Sequence, residues 1–156
     1  RNCKVSDVGN IRSLVNSMPP LDLHSEFSYW VLIPYFPDLC FVIEEDEDSN
    51  IVGFISGVIG SVDSSICYLW QLGVLPKYRR TAYASKLIES LFASAKKLRC
   101  RGVQFSISPD NRLSFNTAKR FAERNGLLIN EIGEVRFEDP ISKSTTYERL
   151  YEMAFT

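Results

Sequence analysis

The sequence predicts a single α/β domain of the α+β kind, with helices covering a mainly antiparallel sheet, on three observations. The chain has 156 residues, 45% hydrophobic and 24% charged, which suits one globular domain with a substantial core and leaves no room for a second. The apolar spacing changes along the chain from a helical period to an alternating one and back. In the middle, a strand pattern runs through a short basic loop straight into an amphipathic helix, the unit that lets a parallel pair enter an otherwise antiparallel sheet.

Each element has its own signal. Ser6 can cap a helix whose Val8, Ile11, Leu14, Val15 and Met18 share a face, and Pro19-Pro20 stop it. A shorter helix starts at Ser25 and runs through Tyr29, Trp30 and Leu32, with Pro34 breaking or kinking it. Residues 39–43 and 51–59 are β-rich runs joined by Glu44-Glu45-Asp46-Glu47-Asp48-Ser49-Asn50, a hairpin whose carboxylates read as a solvated turn rather than a cation site. Residues 66–75 form a third strand, and the helix after it carries Ala84, Leu87, Ile88, Leu91, Ala95 and Leu98 on one side. A buried strand over 102–108 precedes a helix over 112–125 that Gly126 ends. Two strands, 127–132 and 147–155, close the chain around a polar loop holding Asp139-Pro140. The order is α, α, β, β, β, α, β, α, β, β, with no repeat or low-complexity tract.

Composition excludes several function classes. A net charge of −1 and a pI near 5.9 give no general pull towards nucleic acid or an anionic membrane, so any polyanion site must be local. No apolar run approaches the roughly 18 residues of a membrane span; the longest, 29–36, is short and holds Pro34. A soluble, cytoplasmic protein is expected, although a chain opening at Arg1 leaves open an upstream targeting segment that has been removed. Cys3, Cys40, Cys67 and Cys100 stand singly, without the close pairs of a zinc or redox site, and read as reduced core thiols; no metal is expected.

The stretch PKYRRTAYASKL, residues 76–87, carries the chemistry. A loop turning from a strand into a helix presents several backbone N–H groups at the positive end of the helix dipole, where a pyrophosphate binds well. Arg79 and Arg80 can add charge-assisted contacts, with Lys77 and Lys86 nearby. On these features alone, a surface loop with solubilising arginines is an equally plain reading.

Arg79-Arg80-Thr81-Ala82-Tyr83-Ala84, after the strand Leu69-Trp70-Gln71-Leu72-Gly73-Val74, resembles the acyl-CoA signature of the GNAT N-acetyltransferases: arginine or glutamine, two residues, glycine, any residue, then glycine or alanine. The resemblance implies a GNAT-like fold, a mixed, mainly antiparallel sheet of about six to seven strands flanked by about four helices. It implies acetyl-CoA as co-substrate, its pantetheine arm along Leu72, Gly73 and Val74 and its pyrophosphate on the amides of residues 79–84, with Asn111 and Ser114 after the next strand. Ala82 replaces the glycine. Alanine keeps the same amide geometry if the backbone there is near helical, at a cost on the order of 1 kcal/mol if its methyl obstructs the ligand.

Leu21-Asp22-Leu23-His24-Ser25, Asp38-Leu39-Cys40-Phe41-Val42, Val52-Gly53-Phe54-Ile55-Ser56-Gly57, Trp70-Gln71 and Ser108-Pro109-Asp110-Asn111 with Ser114 are similar in order and spacing to the L-2,4-diaminobutyrate acetyltransferases of ectoine biosynthesis. That resemblance implies transfer of acetyl to the γ-amine of diaminobutyrate, and a homodimer. His24 stands where that family usually has asparagine, and Arg149 where a histidine commonly follows the acidic residue matched by Glu148.

The chemistry can be argued from the side chains. A primary amine with a pKa of roughly 10 is mostly protonated at neutral pH, so the site must bind a cation and then remove its proton. Asp22 and Glu148 can attract a diamine and take that proton, Trp70 can wall the pocket and stack on the cation, and Gln71 offers a neutral hydrogen bond. The oxyanion needs a donor, for which the N–H of Leu72 or Gly73 is the simplest candidate. A nucleophilic hydrolase is a poor rival, because the cysteines lack a paired base and His24, the only histidine, offers no triad.

Each residue also has a plain reading: Asp22 as a turn cap, Trp70 as core, Glu148 as an exposed salt-bridged carboxylate, and Arg149 as solvent-exposed rather than steering the acceptor's carboxylate. Where GNAT enzymes often carry a tyrosine as acid for the leaving thiolate, the helix from Arg112 has Phe115 and Phe121, which leaves the acid open between Tyr83 and water. Two other functions stay open: a GNAT enzyme for a polyamine, amino sugar or protein amine, and a non-catalytic acyl-CoA sensor. The bulky segment 21–35 favours a closed small-molecule pocket over the open groove that a protein modifier needs.

Overall fold

The alternating runs become strands and the amphipathic segments between them become helices. The computed structural model describes residues 1–45, 50–60 and 63–155. A 3-10 turn over Val5–Asp7 leads into helix α1 (Val8–Asn16), and α2 (Glu26–Tyr35) follows the double proline. Next come β1 (Cys40–Glu45), β2 (Asn50–Ile59), β3 (Ile66–Val74) and α3 (Tyr83–Lys97). The chain continues through β4 (Gly102–Ile107), α4 (Arg112–Asn125), β5 (Asn130–Glu138) and β6 (Thr145–Ala154). The strands form one six-stranded sheet in the order β1-β2-β3-β4-β6-β5, antiparallel throughout except between β3 and β4, which α3 joins as a crossover.

Helices cover both faces. On one, Ile11 and Val15 of α1 and Tyr29 and Ile33 of α2 pack with Val42 and Phe54 of the sheet. On the other, Leu87 and Leu91 of α3 and Phe121 of α4 pack with Ile55, Cys67, Val103 and Tyr151. Burying such a side chain stabilises the fold by about 1.5–3 kcal/mol. All four cysteines are free and buried, and burial pushes the Cys40 and Cys67 thiols up to about 12, which leaves them unreactive.

Three expectations about local structure change. Ser6 does not cap α1: the buried Asp7 accepts hydrogen bonds from the Lys4 N–H (2.7 Å) and the Arg1 guanidinium (2.8 Å), so the cap belongs to the preceding 3-10 turn. Pro34 does not end α2, which runs one residue further, to Tyr35. β5 begins and ends later than expected and turns most of the supposed polar loop into strand, because this edge strand is exposed at every position and has no apolar alternation. Other signals hold: Ser25 caps α2 by accepting from the Ser28 N–H, and Gly126 ends α4 at φ 64°. The hairpin pairs Glu45 with Asn50, and the acidic residues 46–49 lie outside the described residues. Among the described residues no acidic or histidine–cysteine cluster could hold a metal, and no helix is long and apolar enough to cross a membrane.

The Arg1 guanidinium holds the Asp7 carboxyl below its ordinary 3.8. A depressed folded value contributes stability above the unfolded pKa and loses it as pH falls through the folded one. Asp7→Asn should therefore cost roughly 1–2 kcal/mol in urea denaturation at neutral pH, discounted for the partly exposed arginine, and the gap to wild type should shrink as pH falls below the ordinary carboxylate range.

Candidate active site

The site begins with a defect in the sheet. β2 and β3 pair in register from Gly53 opposite Val74 to Ser56 opposite Gln71, but Gly57 then faces Leu69, so Trp70 is the extra residue of a β-bulge. The bulge reverses the alternation of β3. Cys67 and Leu69 before it and Leu72 and Val74 after it all pack towards α3, while Gln71 and Gly73 turn towards α1 and α2. Trp70 is left 46% exposed, a wall residue rather than core, and Gln71 is 4% exposed. A methyl on Gly73 would lie 2.7 Å from Met18 Cε and 3.0 Å from Leu21 Cδ2, so any side chain there would have to push aside the tips of residues that close over this strand after α1.

β4 pairs with β3 only from Ile66 to Tyr68. Beyond Tyr68 the two strands part, and on its β4 side the rest of β3 has no strand partner among the described residues. Unpaired main-chain groups of that kind need other partners. Leu72 and Val74 turn their main-chain groups to this free side, whereas Gly73, in step with the Leu75 N–H that donates to the Val52 carbonyl, turns its own towards Phe54 of β2.

On the α2 side, residues 21–25 are tied to the bulge. Gln71 Nε2 donates to the Asp22 carbonyl (2.7 Å), Gln71 Oε1 accepts from the Tyr29 hydroxyl (3.0 Å), and Trp70 Nε1 donates to His24 Nε2 (3.0 Å). The imidazole stands edge-on to the Trp70 ring at 5.5 Å. Gln71 thus spends both ends of its amide on the protein, as a tether for the loop. The Asp22 carboxylate is exposed and caps nothing, since Ser25 makes the cap. A cavity of about 10 Å³ lies behind these residues, floored by Ser56 and Tyr29.

Glu148 of β6 is half-buried on the sheet face that carries Tyr68 and Ser106, and it accepts a hydrogen bond from Ser106 Oγ. Ser106 in turn lies 2.7 Å from the Tyr68 hydroxyl. No cation pairs with Glu148 among the described residues, so it is not the salt-bridged surface carboxylate of the plain reading. Arg149 alternates to the other face. There it pairs with Glu131 (3.2 Å) and lines a cavity of about 490 Å³ with Arg112, Phe115 and Tyr151 under α4. The structure therefore brings Asp22, His24, Trp70 and Gln71 together around the bulge, puts Glu148 on the neighbouring open sheet face, and separates Arg149 from it.

The loop before α3 supplies the anion-binding geometry. A 3-10 turn over Pro76–Tyr78 passes to Arg79 in extended conformation and to Arg80 at φ 68°. Ala82 has φ −76° and ψ 2°, which a side chain adopts freely, so the left-handed residue of this turn is Arg80 and not the position where the signature carries glycine. Thr81 Oγ1 donates to the Tyr78 carbonyl (2.6 Å) and accepts from the Tyr83 N–H (3.2 Å). The N–H groups of Ala82, Ala84 and Ser85 find no acceptor among the described residues and stand at the positive end of a 15-residue helix. Arg79 and Arg80 are exposed beside them, whereas Lys77 is drawn towards Glu45 (3.7 Å) and lies over the Tyr78 ring. Tyr83 packs beside Tyr78, and Asn111 Oδ1 caps α4 by accepting from the Ser114 N–H (3.1 Å).

Residues 10–126 match the acetyltransferase (GNAT) family. The chain belongs to that family. It is 35% identical over 118 residues to the L-2,4-diaminobutyric acid acetyltransferase of Halomonas elongata, covering 76% of this chain and 61% of that protein. The enzyme of the same name from Chromohalobacter salexigens is 35% identical over 124 residues, 80% of this chain and 64% of its own length. The chain thus spans a little under two thirds of these relatives. The diaminobutyrate acetyltransferase EctA from Paenibacillus lautus, solved with L-2,4-diaminobutyric acid and coenzyme A, superposes with a TM-score of 0.86 at 25% identity, over 100% of this chain and 95% of that one. The GNAT fold expected from the residues is the fold observed.

Sequence reasoning missed Tyr29, Tyr68 and Ser106. Tyr68 precedes Trp70 by two positions and pairs with Gln104, and Ser106, two residues further along β4, meets it only through the hydrogen bond between their hydroxyls, which no local spacing records.

Two substitutions test the local geometry. Ala82→Gly should tighten coenzyme A binding by no more than a few-fold in calorimetry, because the alanine backbone is already unstrained and its methyl is worth at most about 1 kcal/mol. Gly73→Ala should lower stability in denaturant by about 1–3 kcal/mol, since the new methyl must displace Met18 and Leu21.

Proposed function

We propose that the protein transfers the acetyl group of acetyl-CoA to the γ-amine of L-2,4-diaminobutyrate by direct attack of the amine. The observation that carries this reading is the parting of β3 from β4, with free helix-start amides on one side and Asp22, Trp70 and Glu148 towards the other. The relatives named for that reaction support the choice of acceptor.

The residues divide the work. The amides of Ala82, Ala84 and Ser85, with Arg79 and Arg80, hold the pyrophosphate, and the free edge at Leu72 and Val74 holds the pantetheine arm by main-chain hydrogen bonds. Asn111 and Ser114 flank that arm from the start of α4. Asp22 attracts the diamine, the exposed Trp70 ring lies against its charged end, and His24 fixes the ring through Nε1. Glu148 receives the proton that frees the amine's electron pair, and the Leu72 N–H, which faces away from β2 where the Gly73 N–H does not, donates to the oxyanion as the amine attacks.

Acetyl-CoA and diaminobutyrate should release free thiol at a steady rate. Asp22→Ala and Trp70→Ala should each lower kcat/KM by about 10- to 100-fold while leaving the melting temperature within a few degrees. Turnover with a different diamine and none with diaminobutyrate would reassign the acceptor.

A further inference from the structure

We infer that Tyr68 and Ser106 form a proton relay from the acceptor amine to Glu148, an inference that rests on the function proposed above. Three strands supply one member each: Tyr68 from β3, Ser106 from β4 and Glu148 from β6. The hydroxyls are 2.7 Å apart, and Ser106 Oγ donates to Glu148 Oε2.

The direction of the chain follows from valence. A carboxylate only accepts, so the single Ser106 proton goes to Glu148. Ser106 Oγ must then accept from Tyr68, which spends the phenolic proton and leaves the Tyr68 oxygen with lone pairs and no proton to give. A half-buried oxygen of that kind, on the last residue of β3 to pair with β4, is an acceptor awaiting an N–H donor. Gln104, the nearest competitor on this face, is committed to Glu152 (2.8 Å), which Arg101 also approaches (3.5 Å). Tyr68 stands two residues before the bulged Trp70 and on the face of β3 opposite Cys67 and Leu69, which pack towards α3.

The step balances. The ammonium loses one proton to Tyr68 Oη, the Tyr68 proton moves to Ser106 Oγ, and the Ser106 proton moves to Glu148, which becomes a neutral acid. The nitrogen keeps the electron pair of its broken N–H bond and uses it to form the bond to the thioester carbon. The carbon–sulfur bond then breaks, the thiolate and the second amine proton combine through solvent, and Glu148 returns its proton to solvent. Tyr68 touches the substrate and is a catalytic residue; Ser106 acts through its neighbours and is a positioning residue.

The test is steady-state thiol release from acetyl-CoA and diaminobutyrate in water and in deuterium oxide. Tyr68→Phe and Ser106→Ala should each lower kcat about 10- to 100-fold, leave KM for diaminobutyrate within about threefold, and change the solvent isotope effect, while Ser106→Thr, which keeps the hydroxyl, should recover most of the rate. An unchanged kcat and isotope effect in Tyr68→Phe would overturn the relay, as would a Ser106→Thr variant that is folded yet as slow as Ser106→Ala. An inert wild type would overturn the proposed function instead, and the relay with it.

Discussion

β3 and β4 stay together for three residue pairs and then separate, and the site is organised around that separation. A parallel pair needs a crossover, and the crossover here is α3, which the short loop 75–82 joins to the separated end of β3. Two kinds of unsatisfied backbone therefore come together: strand groups without a neighbour, and helix-start amides without an acceptor. Both need hydrogen-bond partners. A molecule that combines an amide-bearing arm with a diphosphate supplies both at once. The bulge at Trp70 then turns β3 so that its apolar side chains stay in the α3 core while an aromatic ring is set free on the acceptor side.

The surrounding structure holds this arrangement in place. Gln71 ties the acceptor loop to the bulge, Tyr29 fixes Gln71 from α2, and Gly73 lets α1 close over the strand without a clash. Several local rules are broken in the same region: an exposed tryptophan, an arginine in left-handed conformation and a row of free amides. Two packed cores, one on each face of the sheet, carry the stability that such a site gives up.

Much of the fold was legible because its signals are strong and local. Apolar stripes located α1 and α3, Ser25 marked the start of α2, and Gly126 marked the end of α4. β5 was misplaced because an edge strand exposed throughout has no buried face to write into its sequence. The cap at Ser6 failed because the Arg1 to Asp7 ion pair joins residues whose proximity only the folded chain shows. In the candidate site, residues next to the signature could be named from its spacing, whereas Tyr68 and Ser106 could not, since the hydrogen bonds that join them to Glu148 run across three strands far apart in the sequence. Arg149 was named from the family resemblance, and strand alternation, which puts it on the face opposite Glu148, agrees with its pairing to Glu131.

The central claim is that the free edge of β3 and the start of α3 act as one binding surface. Amide nitrogen–proton spectra recorded during a titration with coenzyme A test it most directly, because every unpaired N–H reports separately. The account predicts the largest shifts at Leu72 and Val74 and at Ala82, Ala84 and Ser85, all saturating at the same ligand concentration. Shifts confined to the cavity under α4, or none at either segment, would contradict it.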